Sequence, residues 1–453
     1  FSLCGFAPAC LGAKNLAFKG KFLSEDGQMD PALQEYPEEC NSNIGYASRC
    51  DRSDDHRCRL CATCAQGYRR REIGGSMQCD KCPPSAANKV LLTVGALVAM
   101  GVLGFMVLQH MDKGGKRTLS SMQKIIVINY FQLTYMIANM DIPWPAPLRI
   151  LFDIEGAVST IGEHLLNPAC ELTHVPAAEV TYQKQIAYMF LLPVLILCTK
   201  TFWRVSACLQ GRPFRYRGEN NRSPSHRDGS IATIVFLMYL VYPTLCRQAF
   251  VLLICKKVGA EYYLASDLQE VCWAGRHLVY IICCTIPQIA FHVFGIPLLG
   301  LRAAKYNRKD KIKRRFSISL FRYGLLYSAY SEKRWYWGAV SGSRKAIIAF
   351  LTSFLSDANL EVHWTIFFLA VSIMANMFGE PYVGAKGIRN SEALMLQRFD
   401  STSLFVLLTT AWSGLFFNLF TSCGTNEIFC LVILGFAMLV NVSFFVYCCY
   451  LFR

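Results

Sequence analysis

Apolar runs of about 20 residues recur from residue 90 to the end of this chain, and no other feature constrains its fold as strongly. A bilayer's hydrocarbon core is about 30 Å thick, which a helix of about 20 apolar residues crosses. Nine windows fit: 90–110, 123–139, 184–203, 231–255, 278–301, 335–355, 362–379, 401–421 and 428–450. Composition agrees. Only 17% of the 453 residues are charged and 53% are hydrophobic, against about 25% charged in a soluble domain. The mean hydropathy is +0.29. The expected fold class is an all-α membrane protein of about nine transmembrane helices over 89–453. A small disulfide-rich extracellular module over 1–88 precedes it.

The second window, QKIIVINYFQLTYMIANM, carries Asn129, Gln132 and Asn139. Polar side chains in a span face other helices or a water-filled cavity. A re-entrant or interfacial helix is the alternative there.

Loop charge orients the chain. With the first 88 residues outside, four loops fall inside, and all are basic. They carry Lys113, Lys116 and Arg117; then Arg204, Arg212, Arg215, Arg217, Arg222 and Arg227; then 302–334; then Lys386, Arg389 and Arg398. The intervening loops are poor in basic residues: 140–182 holds Arg149 alone against several Asp and Glu. This alternation is the positive-inside pattern. It puts the N-terminus outside and the C-terminus inside, in a plasma or ciliary membrane. The net charge of +15 is then loop charge, and nucleic acid is not an expected partner. The sequon at Asn221 falls in an inner loop and is expected to carry no glycan. A start at Phe1, without Met or an apolar leader, implies a removed signal peptide or a longer protein.

Nine of the 21 cysteines lie in the first 88 residues. Cys58 to Cys82 reads CRLCATCAQGYRRREIGGSMQCDKC, with a C-x-x-C ending at Cys64 and, after fourteen residues, another from Cys79 to Cys82. In a reducing compartment that spacing points to zinc. Outside the cell, dense cysteines in a segment with few aliphatics point to disulfides that substitute for a core. The orientation favours disulfides among Cys40, Cys50, Cys58, Cys61, Cys64, Cys79 and Cys82, with zinc as the alternative. Cys255 and Cys272 flank the outer loop after the fourth window and suit a short bridge. No metal or other cofactor is expected.

The segment CATCAQGYRRREIGGSMQCDKCPPSAAN resembles ephrin-receptor-like or EGF-like cysteine-rich repeats. Further stretches resemble the TRP-like, polycystin-related multi-pass membrane proteins of algae, oomycetes and ciliates. They are INYFQLTYMIANMDIPWPAPL, FLMYLVYPTLCRQAF, FGIPLL, YGLLYSAYSEKRWYWGAVSGSRKAIIAFL and FGEPYVGAKGIRNSEAL. The resemblance covers roughly residues 50–450. It implies a channel-like membrane domain under an extracellular module. Nine spans exceed the six of a standard TRP channel, and no selectivity-filter loop separates the last windows.

Charged residues inside windows are costly and usually functional. Arg247 lies in the fourth window and Arg344, with Lys345, in the sixth. His292 sits in the fifth between Pro287 and Pro297, and Glu380 follows the seventh. These are the pore or gating candidates. The bland readings are a structural pair for Arg247, snorkelling for Arg344 and Lys345, a hydrogen-bonded core His292 and a solvated Glu380. Trp335, Tyr336 and Trp337 read as an interfacial aromatic belt, and Trp144 in DIPWPAP as a rigid cap on the bundle.

The juxtamembrane run RAAKYNRKDKIKRR holds Arg302, Lys305, Arg308, Lys309, Lys311, Lys313, Arg314 and Arg315. Anionic lipid attracts such segments at about 1 kcal/mol per basic residue. The expected partners are therefore the bilayer, anionic lipids, and extracellular proteins or further copies of the chain. No G-x-S-x-G, H-E-x-x-H, P-loop or kinase signature occurs, so an enzyme is not expected. The leading expectation is a TRP-like cation channel or channel-like sensor. The alternatives are a membrane anchor for an extracellular assembly or surface coat, and a receptor or lipid scramblase.

Overall fold

The computed structural model describes chiefly residues 40–47, 58–73, 76–82, 119–140, 142–159, 177–210, 225–307, 318–355, 358–384, 389–419 and 427–451, with a few more near 9 and 84–94. In chain order, strands β1 (Tyr68–Ile73) and β2 (Ser76–Lys81) precede helices α1 (Leu119–Ala138), α2 (Ala146–Ser159), α3 (Ala177–Gln210) and α4 (His226–Phe250). Strands β3 (Cys255–Val258), β4 (Glu261–Leu264) and β5 (Asp267–Val271) follow. Helix α5 (Gly275–Tyr306) comes next, with π-helical turns at Ile281–Thr285 and Ile289–Gly295. The chain closes with α6 (Ile318–Tyr327), α7 (Trp337–Phe354), α8 (Ala358–Gly379), α9 (Asn390–Leu419) and α10 (Glu427–Leu451).

Five helical segments are long and apolar enough to cross a membrane: Ala178–Val205, His226–Leu253, Gly275–Tyr306, Asn359–Gly379 and Ile428–Cys448. They answer to five of the nine windows. Helices α1, α7 and α9 occupy three more windows but are not among these five. Helix α7 carries Arg344 and Lys345 inside its window, whereas Glu392, Arg398 and Asp400 of α9 precede the window at 401–421. The window 90–110 lies almost wholly outside the described residues. Large apolar side chains stand exposed on the apolar helices, among them Phe291, Phe294, Phe378 and Ile428. Such faces belong against a bilayer.

The chain divides into two compact units. Unit 1 gathers Phe1–Val94, Leu166–Ala187 and Phe250–Ile286. Its strands form two small antiparallel sheets, β1-β2 and β3-β4-β5, which the expectation of an all-α chain did not include. Gly259, at φ +66°, makes the tight β3–β4 turn that any other residue would strain. Disulfides join Cys40 to Cys61, Cys64 to Cys79 and Cys255 to Cys272. Cys58 and Cys82 are disulfide-bonded too, and Cys50 lies outside the described residues. The Cys64–Cys79 bridge joins the two C-x-x-C motifs, and with all four of their sulfurs in disulfides they do not hold a metal.

Arginines and tyrosines complete this unit. Arg59 donates to Leu268 O and Gln269 Oε1 and lies over the Tyr263 ring at 4.4 Å. Arg70 donates to Ala265 O and Ser266 O. Tyr182 and Tyr280 stack at 4.1 Å, and Arg276 lies over Tyr182 while pairing with Glu270 and Glu179. Asp267 accepts from the Ala178 N–H at 2.8 Å, capping the start of α3.

Unit 2 takes the remaining helices. The pair α8–α9 makes its broadest helix contact; α1 packs on α2, α9 and α7, and α10 on α9. One apolar core joins Ile125, Trp203, Phe236, Leu240 and Phe321. The start of α4 is fixed by Asp228, which accepts from Ser225 and from the Arg322 guanidinium. Trp144 is buried, edge-on to Phe152 at 5.2 Å and to Phe417 at 6.3 Å. It therefore packs onto the bundle as the sequence implied.

Candidate functional site: a buried charged layer

Helices α7, α8 and α9 each bring polar side chains to the interior of unit 2. From α7 come Arg344 and Lys345, with 6% and 1% of their surface exposed. Successive residues on a helix point about 100° apart, so one neighbour contacts Trp337 and the other Tyr239. The Arg344 guanidinium lies 5.9 Å from the Trp337 ring. The Lys345 ammonium lies 4.1 Å from the Tyr239 ring. Such contacts replace part of the hydration a buried cation loses.

The acid of the layer is Asp400, at a core position of α9 and 7% exposed. It accepts from the Tyr382 hydroxyl at 3.2 Å, and Arg344 is its cationic neighbour. Arg344 also reaches Ser372 O at 3.5 Å. Asn376 donates to Ser401 Oγ at 3.0 Å, and Gln397 donates to Asn376 O. Around them, Tyr239 donates to Asn129 Oδ1 and Gln132 donates to Leu240 O at 3.1 Å. Of the polar residues in the second window, Asn129 and Gln132 thus face another helix, while Asn139 is exposed and donates to Tyr135 O of its own helix at 2.7 Å.

Backbone contacts hold the layer in place. Ser331 N–H donates to Pro381 O at 2.7 Å, and Arg334 donates to Gly379 O at 2.7 Å. They tie the stretch before α7 to the turn after α8, where Tyr382 sits. Tyr330 and Tyr382 rings lie 5.6 Å apart. Gly379 is obligatory here because an added Cβ would collide with the Trp337 ring. Trp337 is therefore inside the bundle, not in an interfacial belt.

The other expected site residues fall elsewhere. Arg344 and Lys345 do not snorkel. Arg247 is half-buried near the end of α4. His292 is buried in a π-helical turn of α5, and its Nδ1 has no partner. Glu380 is exposed, at φ +41°, in the turn after α8. Arg302 and Lys305 are exposed at the end of α5, and Arg308 to Arg315 lie outside the described residues. Asp400 and Tyr382 were missed as partners. The one signal in the sequence is an acid placed directly before the apolar window at 401–421.

Cys255, Cys272 and His277 lie close enough to suggest a metal centre. The sulfurs are spent in a disulfide. The His277 ring accepts from Trp273 N–H at 2.9 Å and meets Leu252 O at 3.0 Å, so no ligand atom is left. No protein-family model, no curated protein and no solved structure matches this chain.

Proposed function

We propose that this chain is a TRP-like multi-pass membrane protein that works as a cation channel or channel-like sensor. Nine spans carry it across the membrane, with unit 1 outside and the C-terminus in the cytoplasm. The observation that supports this best is the burial of Arg344, Lys345 and Asp400 together in the helix bundle. Ionisable groups in a membrane bundle are costly and are retained chiefly for transport or sensing. One acid among two cations leaves a local excess of positive charge, which a change in membrane potential or in helix packing acts on. The basic run from Arg302 to Arg315 binds anionic headgroups on the inner face. Current through planar bilayers containing the purified chain tests the reading. Asp400→Asn should shift the voltage or agonist dependence of that current; a chain that never conducts sinks the reading.

A second reading, the anchor for an extracellular assembly, draws on unit 1. Its staples and its Arg59 and Arg70 pegs make a rigid module, as an attachment point requires. Co-purification of large extracellular partners under non-reducing conditions, without flux, is its signature.

A further inference from the structure

Trp273 holds a backbone conformation that a bulky residue resists. It links β5 to α5 at φ +62°, where a Cβ crowds the backbone. Such outliers persist where their surroundings enforce them, and they cluster in functional segments. The Trp273 N–H donates to His277 Nδ1 at 2.9 Å, and the other ring nitrogen of His277 donates to Leu252 O at 3.0 Å. Cys272, one residue before, is bonded to Cys255 and donates its N–H to Tyr262 O at 2.9 Å. His277 is fully buried, so the turn is held from the core of unit 1.

The side chain presented by this turn is not packed inward. Trp273 is 52% exposed, edge-on to the His277 ring at 6.0 Å. An indole left in water forgoes a large apolar burial. Its neighbours say what covers it. Two residues on, Gly275 begins a segment long and apolar enough to cross a membrane. Leu278, Val279 and Ile282 on the first turns of that segment are exposed, as lipid-facing side chains are. In the sheet, Tyr262 is exposed and pairs with Lys257 of β3, whose ammonium lies 6.0 Å from the Tyr262 ring. Apolar side chains thus give way to an indole, and then to a phenol beside an ammonium. A bilayer grades in the same order, from acyl chains through the headgroup boundary to phosphate. Trp and Tyr favour that boundary because their rings are apolar and carry one polar group. Lys extends its ammonium into the polar layer beyond.

We propose that Trp273 seats the β3–β5 sheet on the phospholipid headgroup layer, with the indole at the headgroup–acyl boundary and Tyr262 and Lys257 among the phosphates. The strained turn aims the indole there, and His277 is its positioning residue. The proposal rests on α5 crossing the bilayer, and it holds whether or not the chain conducts.

The test is quenching of tryptophan fluorescence in liposomes that hold the purified full-length chain alone. Two brominated phospholipids are compared, one labelled at the headgroup end of its acyl chains and one at the far end. Iodide on both sides of the membrane is the aqueous quencher. The chain has 7 tryptophans, so the Trp273 signal is the difference between wild type and Trp273→Phe. That signal should lose most intensity with the shallow bromines, less with the deep ones and least with iodide. Should Trp273→Phe fail to fold, a diazirine on the lipid headgroup labels the wild-type chain instead, and peptide mapping should find the label on Tyr262 and Trp273. A Trp273 signal quenched most by iodide, as for a surface that awaits a protein partner, would overturn the proposal. So would one quenched most by the deep bromines, or a headgroup label that marks the chain elsewhere and spares both residues.

Discussion

Tyr382 donates its hydroxyl proton to the Asp400 carboxylate across 3.2 Å, from the turn after α8 to the middle of α9. This contact joins a loop to the buried charged layer. The loop in turn is tied by Ser331 to the segment leading into α7, which bears Arg344. A shift of α7 is therefore felt at both ends of the Arg344–Asp400 relationship, through the helix and through the loop.

Removing one charge of this layer should cost far more than removing both. Arg344→Met leaves Asp400 buried without its cationic neighbour and should destabilise the chain by about 3–5 kcal/mol. The double variant Arg344→Met with Asp400→Leu should recover most of that. Thermal unfolding of the detergent-solubilised variants measures both. A double variant as unstable as the single one would show that the two charges do not compensate each other.

The Cys255–Cys272 bridge closes the β3–β5 sheet across a separation of 17 residues. Replacing both cysteines by serine should remove about 3 kcal/mol of stability. The loss should be read locally, as faster amide exchange over 255–272. Unchanged exchange there would mean that the Asp267 cap and the Arg59 and Arg70 contacts hold the sheet unaided.

Gly414 lies under the Trp144 ring, and an added Cβ would sit 2.7 Å from it. Gly414→Ala should cost about 1–3 kcal/mol through overpacking. It should also raise the exposure of Trp144, visible as a red-shifted fluorescence beside a Trp144→Phe reference. An unshifted spectrum would mean that the backbone absorbs the methyl group.

Burial holds the Glu155 carboxyl up to about 8, against an ordinary value of 4.5. The folded chain keeps a proton there that the unfolded chain gives up. Stability should therefore fall as pH rises from 4.5 to about 8, and this contribution should then level off. Tyr130 and Cys448 have ordinary values above that window. Glu155→Gln should remove the slope in denaturation midpoints across it; a variant with the wild-type slope would assign the effect to another group.

Much of the fold is legible in the sequence because lipid imposes a length rule. The windows at 184–203, 231–255, 278–301, 362–379 and 428–450 reappear as apolar helices. The Cys255–Cys272 bridge was legible from the position of two cysteines on one short loop. The strands between them were not: Lys256 to Val271 alternates weakly, and only Gly259 marks the turn. Partners across helices were not legible either. Arg344 announced itself as a charge in a window, but nothing in the sequence of α9 says that Asp400 faces it. Glu155 was hidden for a similar reason. It was read with the other acids of a long loop, and only the packing of α2 on α1 turns it inward.

Cation flux through the purified chain in liposomes, beside Arg344→Gln and beside empty liposomes, tests the central claim most directly. The account predicts flux in wild type above the empty control and altered flux with Arg344→Gln in a folded preparation. Wild-type liposomes that pass no more cation than empty ones, with the chain folded and inserted, would contradict it.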